Sequence, residues 1–179
     1  MKNIEIYDKK FQLFIPNVKI VAVVEKMAEK MNNDLAGENP LFICILIGSF
    51  MFGADLFKRI KINSEITFLR VASYSGERST GIIENFIDLN ENIKGRTVVV
   101  VEDIVDSGLT INNVLERLKE KSPGRIITAT LLLKPDALKE EVKLDYVGME
   151  IPNDFIVGYG LDYNGFGRNL SDIYSLINE

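Results

Sequence analysis

The chain has 179 residues, 46% of them apolar and 26% charged, which suits one soluble globular domain large enough to bury its own core. A formal net charge of −5 with no basic run gives no electrostatic support for nucleic-acid binding. A single cysteine, Cys44, and no histidine remove a disulfide framework and the commonest general base and metal ligand, so acid–base chemistry falls to Asp, Glu, Lys or Tyr.

The first residues, MKNIEIYDKK, lack the apolar run of a secretory signal, and no apolar stretch approaches the roughly 18 residues of a membrane span. A cytoplasmic protein without a membrane partner is therefore expected. Phe11, Leu13 and Ile15 alternate as in a strand. Ile20, Val21, Val24, Met27, Ala28 and Met31 recur with helical spacing and predict an amphipathic helix over roughly 17–33, with its methionines as core filler. After the break at Gly37–Pro40, Leu41–Ile47 (LFICILI) is apolar on both faces, as in a buried strand of a parallel sheet. It ends at Gly48-Ser49, and a helix follows with Phe50, Ala54 and Phe57 on one face. A strand, Gly-Ser and a helix make a place where backbone N–H groups can meet an anion. Glu65–Ala72 and Ile82–Leu89 read as paired strands around the polar loop SYSGERSTG, whose composition fits a solvated hairpin loop or a lid.

Arg96 to Leu115 (RTVVVVEDIVDSGLTINNVL) carries the most chemistry. Val98–Val101 are β-branched and apolar on both faces, and Glu102 and Asp103 sit at the carboxyl end of that run. Asp106, Ser107, Gly108, Leu109 and Thr110 follow, and then Ile111, Val114, Leu115 and Leu118 at helical spacing. Such a loop aims N–H groups and hydroxyls at whatever sits above the helix N-terminus, a good place for a phosphate. Carboxylates so close would repel a bare phosphate. They make sense if the ligand also carries hydroxyls, a metal ion or a cationic transition state. A ribose 5-phosphate meets the first condition, and ribosyl transfer can meet the others.

Ser122-Pro123-Gly124 stops that helix, and Arg125–Leu133 is a further strand with Lys134 at its carboxyl end. Leu144–Ile151 (LDYVGMEI), holding Tyr146 and Val147, is another strand; Pro152-Asn153-Asp154 then turns into FIVGYGLDY, and Arg168 lies in GFGRNL. Strands alternating with helices predict an α/β fold, a mostly parallel central sheet flanked by helices on both faces. The two ends of the chain are expected to form a small hood over the carboxyl edge of that sheet, with the site between.

VVVVEDIVDSGLT resembles the phosphoribosyl-pyrophosphate (PRPP) signature of the type I phosphoribosyltransferases, and residues 11 to 175 are similar to the hypoxanthine-guanine members of that family. The resemblance implies one phosphoribosyltransferase domain over residues 1–179, with a core at 35–140 and a hood from 1–15 and 145–179. It implies purine salvage, in which the phosphoribosyl group of PRPP moves to N9 of hypoxanthine or guanine and gives IMP or GMP plus pyrophosphate. Magnesium (Mg2+) as cofactor and a homodimer or homotetramer are implied as well. On the same basis Glu102 and Asp103 take the ribose hydroxyls and, with Asn153, the metal. Asp106 handles the proton at purine N7, and Ser107, Gly108, Leu109 and Thr110 cradle the 5′-phosphate. Gly48, Ser49 and Arg168 bind pyrophosphate, and Ser73 and Tyr74 belong to a closing lid that keeps water out. Lys134 donates to the exocyclic oxygen of the base, Tyr146 stacks on it, and Val147 offers backbone groups to its edge.

Two positions depart from the family pattern. Ile47 stands where a polar or basic residue is commoner, and Asn153 stands where Asp is frequent, a poorer ligand for a hard cation. Without side-chain help at position 47, an uncommon backbone shape, cis included, is expected at the Ile47–Gly48 peptide. A phosphoribosyltransferase for xanthine, adenine or a pyrimidine stays open, as does a PRPP-sensing regulator, which the negative net charge disfavours.

Overall fold

Five parallel strands form the centre of the chain, whose computed structural model describes residues 3–71 and 89–177. Their order is β4 (Glu65–Arg70), β3 (Leu41–Leu46), β5 (Thr97–Val105), β6 (Arg125–Leu133) and β7 (Tyr146–Glu150). Every neighbouring pair is parallel, as the two-sided apolar runs predict. Phe42, Cys44, Val99 and Val101 point to one face, where they meet α1 (Asn17–Asp34) and α2 (Phe50–Phe57). Leu41, Ile43, Val98 and Val100 point to the other and meet α3 (Leu109–Glu120). Each fully buried aliphatic side chain contributes roughly 1.5–3 kcal/mol, so these two layers supply most of the stabilisation.

The first helix forms as its spacing predicts, burying Ile20, Val24, Met27, Ala28 and Met31. Its start has no side-chain cap of its own. Instead the amide of Asn17 donates to Asp172 Oδ1 at 2.8 Å, from the far end of the chain. The second helix lies in a different phase from the one expected. Phe52, Gly53 and Leu56 are buried, Ala54 is exposed and Phe50 is 39% exposed. The reason is close approach: a Cβ at Gly53 would come within 2.6 Å of Cys44 Sγ, so the glycine side is the one that faces β3. Phe57 is half-buried, edge-on to Phe42 at 5.5 Å.

β1 (Asn3–Ile6), β2 (Lys9–Ile15), β9 (Ile173–Leu176) and β8 (Ile156–Val157) make a second, antiparallel sheet from the two ends of the chain. This is the expected hood, with one boundary moved. Tyr146–Glu150 pairs with β6 as the outer strand of the parallel sheet, so the hood begins after it. The alternation Phe11, Leu13, Ile15 is also interrupted. The register shifts between Leu13 and Ile15, leaving Leu13 exposed while its two neighbours in the pattern are buried. Apart from Leu89, the expected strand over 82–89 lies outside the described residues, as does the 73–81 loop. Among the described residues no helix is long and apolar enough to cross a membrane.

Candidate active site

β5 runs two residues past the acids, to Val105, so Glu102 and Asp103 belong to the strand and not to the loop after it. That placement buries them, at 9% and 6% exposure. Successive strand residues face opposite ways. Glu102 lines a cavity of about 250 Å³ together with Asp106, Ser107, Gly108, Thr110 and Gly48. Asp103 packs against the β3–α2 loop, where a Cβ on Gly48 would collide with its carboxylate.

Burial, with the charge of Asp103 beside it, pushes the Glu102 carboxyl well above its usual range. Burial raises Asp103 too, opposed by its hydrogen bonds with Glu102 and with backbone groups and by the positive charge of Arg168. Both carboxyls are thus raised, and the hydrogen bonds and the Arg168 charge that oppose the rise act on Asp103. Its Oε2 is buried without a hydrogen-bond partner. An orphaned oxygen on a side chain that lines the cavity fits an incoming hydroxyl or cation.

The loop after β5 has the cradle shape. Gly108, at φ +82°, precedes α3, and a Cβ there would meet Val142 Cγ2 at 2.6 Å, so only glycine fits. The amide of Leu109 donates to Ser107 Oγ at 3.4 Å, and no acid occupies the first turn of the helix. Lys134 reaches the same place from the end of β6. It is 7% exposed, and its Nζ lies 3.3 Å from Asp106 Oδ2. From the hood, Arg168 donates to the Gly160 carbonyl at 2.6 Å and pairs with Asp162 at 2.5 Å.

Ser49 is fully buried and its hydroxyl donates back to the Ile45 carbonyl at 2.6 Å, which leaves backbone groups to serve the loop's outer side. The unusual peptide sits one residue earlier than expected: Leu46–Ile47 is cis, and Ile47–Gly48 is not. Ser73 and Tyr74 lie outside the described residues.

Tyr146 and Val147 are not brought to this cluster. They start β7, opposite Ala129 and Thr130, whereas the carboxyl edge of the sheet lies at Leu133 and Glu150. Strand direction alone excludes them from the cradle's end. The Tyr146 phenol, pushed up by burial and by Asp34, donates to Asp34 Oδ2 at 2.8 Å, and Lys30 lies over its ring. It anchors α1. Asn153 is exposed in the turn after β7, and the hood charge that acts on Asp103 is that of Arg168, which pairs with Asp162. Asp162 is thus a site residue missed in the sequence; its only signal was an acid in the same glycine-rich segment as Arg168.

A family model described as the phosphoribosyl transferase domain matches residues 16–164. The hypoxanthine-guanine phosphoribosyltransferase of Streptococcus pneumoniae strain R6 is 40% identical over 160 residues, covering 89% of each chain. The solved hypoxanthine-guanine phosphoribosyltransferase of Bacillus anthracis superposes with a TM-score of 0.86 at 36% identity, over 93% of this chain and 97% of its own. A hypoxanthine phosphoribosyltransferase from Staphylococcus aureus gives 0.88 at 35% identity, over 93% and 91%.

Proposed function

The chain belongs to the phosphoribosyl transferase family, and we propose that it is a purine-salvage enzyme that joins hypoxanthine or guanine to PRPP, giving the nucleotide and pyrophosphate. One observation carries the reading: a phosphate-type loop, a buried acid pair with an orphaned oxygen, and Lys134 against Asp106 converge at the end of β5.

The backbone N–H groups at the start of α3, with the Ser107 and Thr110 hydroxyls, would hold the 5′-phosphate. Glu102 and Asp103 would accept hydrogen bonds from the ribose hydroxyls. Arg168 and the backbone at Gly48-Ser49 would hold the pyrophosphate. Lys134 would leave Asp106 to donate to the 6-oxygen of the base. Asp106, released, would take the proton from N7 as the bond from N9 to the ribose carbon forms and the bond to pyrophosphate breaks. The stacking partner assigned to Tyr146 passes to Phe155, a 45% exposed ring just beyond the turn that leaves the carboxyl end of β7.

Among the described residues no three acidic or thiol side chains converge on a metal position. Glu102 and Asp103 still fit magnesium, which commonly takes one or two carboxylates and fills its shell with waters and phosphate oxygens. When bound, magnesium supplies charge neutralisation for the leaving pyrophosphate. The exposed apolar side chains of Ile47, Phe50 and Phe68 support a homodimer or homotetramer, and a cytoplasmic location is part of the same reading.

Steady-state rates with PRPP, magnesium and each of hypoxanthine, guanine, xanthine, adenine and uracil test the assignment. Pyrophosphate release with the 6-oxopurines is expected. No turnover of any base would overturn it.

A further inference from the structure

The hood grips the β3–α2 unit through Tyr159 and its neighbour Gly160. Tyr159 is 1% exposed and has φ +50°, between Gly158 at +103° and Gly160 at +100°. Three consecutive left-handed residues are unusual, and the middle one is no glycine, so its conformation must be held by what its side chain grips. The phenol donates to Asp55 Oδ2 at 2.5 Å, on α2. Asp55 is itself steadied by Lys58 at 2.5 Å and Arg59 at 3.8 Å. One residue on, Gly160 packs so closely on the Gly48 carbonyl that a Cβ would collide with it. Gly160 is also bonded in both directions to Arg168: its amide donates to the Arg168 carbonyl at 3.0 Å, and its carbonyl accepts from the guanidinium.

The phenol therefore holds a short segment that has Gly48 on one side and Arg168 on the other. From this geometry we infer that Tyr159 and Asp55 form a positioning clamp, which sets the separation of the Gly48-Ser49 backbone from Arg168 and so shapes the subsite for pyrophosphate. Neither residue touches the ligand. Their effect passes through Gly160, whose backbone is the wedge between the two groups. The clamp rests on the transferase reading for the identity of its ligand, but its mechanical part stands on the contacts alone.

Tyr159→Phe keeps the ring and deletes the bond. Asp55→Ala removes the acceptor, whereas Asp55→Asn keeps one. In Tyr159→Phe and Asp55→Ala the KM for PRPP should rise at least about 10-fold, with the KM for hypoxanthine within about 2-fold of the parent, a split that general loosening would not produce. Asp55→Asn should recover most of the loss, and the double variant Tyr159→Phe/Asp55→Ala should be no worse than either single one. Hydrogen exchange gives a readout independent of activity: the amides of residues 48–53 should exchange about 10-fold faster in Tyr159→Phe while those of α1 stay unchanged. Unchanged exchange at 48–53, a uniform rise through the chain, equal changes in both KM values, or Asp55→Asn as damaging as Asp55→Ala would overturn the clamp. If the parent chain turned over no base, the transferase reading would fall and the exchange measurement would still decide the clamp.

Discussion

Glu102 and Lys134 show how burial converts ordinary side chains into specific ones. Because Glu102 is raised above its ordinary value of 4.5, the folded chain binds more protons than the unfolded chain as pH climbs past that value. Stability attributable to this carboxyl is present below that value and is lost as pH rises toward the folded value. Glu102→Gln, neutral at every pH, should therefore melt higher than the parent at pH 8, by roughly 2–4 °C if about 1 kcal/mol is recovered, with the gain vanishing near pH 4. Calorimetry at the two pH values checks it, and a variant that is less stable at pH 8 would contradict the buried-proton account. Lys134 has three donors and no acceptor. Facing a 6-oxo group it makes a charge-assisted bond; facing the 6-amino group of adenine it sets donor against donor with its charge desolvated. The expected kcat/KM for hypoxanthine and guanine exceeds that for adenine by at least about 10³. Lys134→Gln, which can donate or accept, should narrow the gap chiefly by weakening the 6-oxopurines. Its neighbour Asp106 is the proton acceptor in the same account, so Asp106→Asn should lower kcat by roughly 10²–10⁴ while PRPP binding persists on the backbone cradle. A variant within a few-fold of the parent would remove Asp106 from that role.

The β3–α2 junction works by exclusion of atoms. Gly48 has no side chain because the Asp103 carboxylate occupies that space. Gly48→Ala must push Asp103 out of the pair, and kcat/KM for PRPP should fall by roughly 10² with the fold retained by circular dichroism, since misplacement by about 1 Å can cost that much. Parent-like kinetics would show that the contact is slack. The same junction explains which parts were legible in the sequence. The parallel sheet was, because Leu41–Leu46 and Val98–Val101 are apolar on both faces and only a doubly covered strand tolerates that. The order of the cradle was, because strand, Gly108 with its flanking hydroxyls and helix are contiguous in the chain, even though Val142 and the Lys139 amide close on the loop from further along. The phase of α2 was not: Phe50, Ala54 and Phe57 share a face as well as Phe52 and Leu56 do, and only the approach of Cys44 to Gly53 decides between them. Tyr146 was misplaced for a related reason. An aromatic inside an apolar run does not reveal how far along a strand it lies, and the register with Ala129 puts it far from the carboxyl edge. Asp162 owes its place to Arg168 and to the path of the hood, which local pattern does not contain.

Two sheets of different kinds could unfold as two units, and the packing argues that they do not. Ile15 and Ile173 from the hood, Ile156 from β8 and Tyr159 beyond it belong to the same buried cluster as Phe42, Val101 and Leu131 of the parallel sheet. Among the described residues the hood's own cluster is smaller: Ile6, Phe11, Val157 and Tyr174 are buried, with Ile4, Tyr163, Leu170 and Leu176 partly buried against them. Four buried side chains and four partly buried ones bury too little surface to offset the conformational entropy of ordering a free-standing sheet. Asp172, at the edge of β9, also accepts from the first amide of α1, so loss of the hood would leave that helix end uncapped. The hood should therefore melt with the core. Differential scanning calorimetry of the whole chain is expected to give one transition, with the calorimetric enthalpy equal to the van't Hoff enthalpy. Asp172→Ala should lower the midpoint of that single transition by an amount equivalent to about 1 kcal/mol, the usual worth of a helix cap, without splitting it. A separate low-temperature peak in the parent chain would mean that the shared cluster does not bind the two sheets, and that the hood opens over the cradle as an independent body.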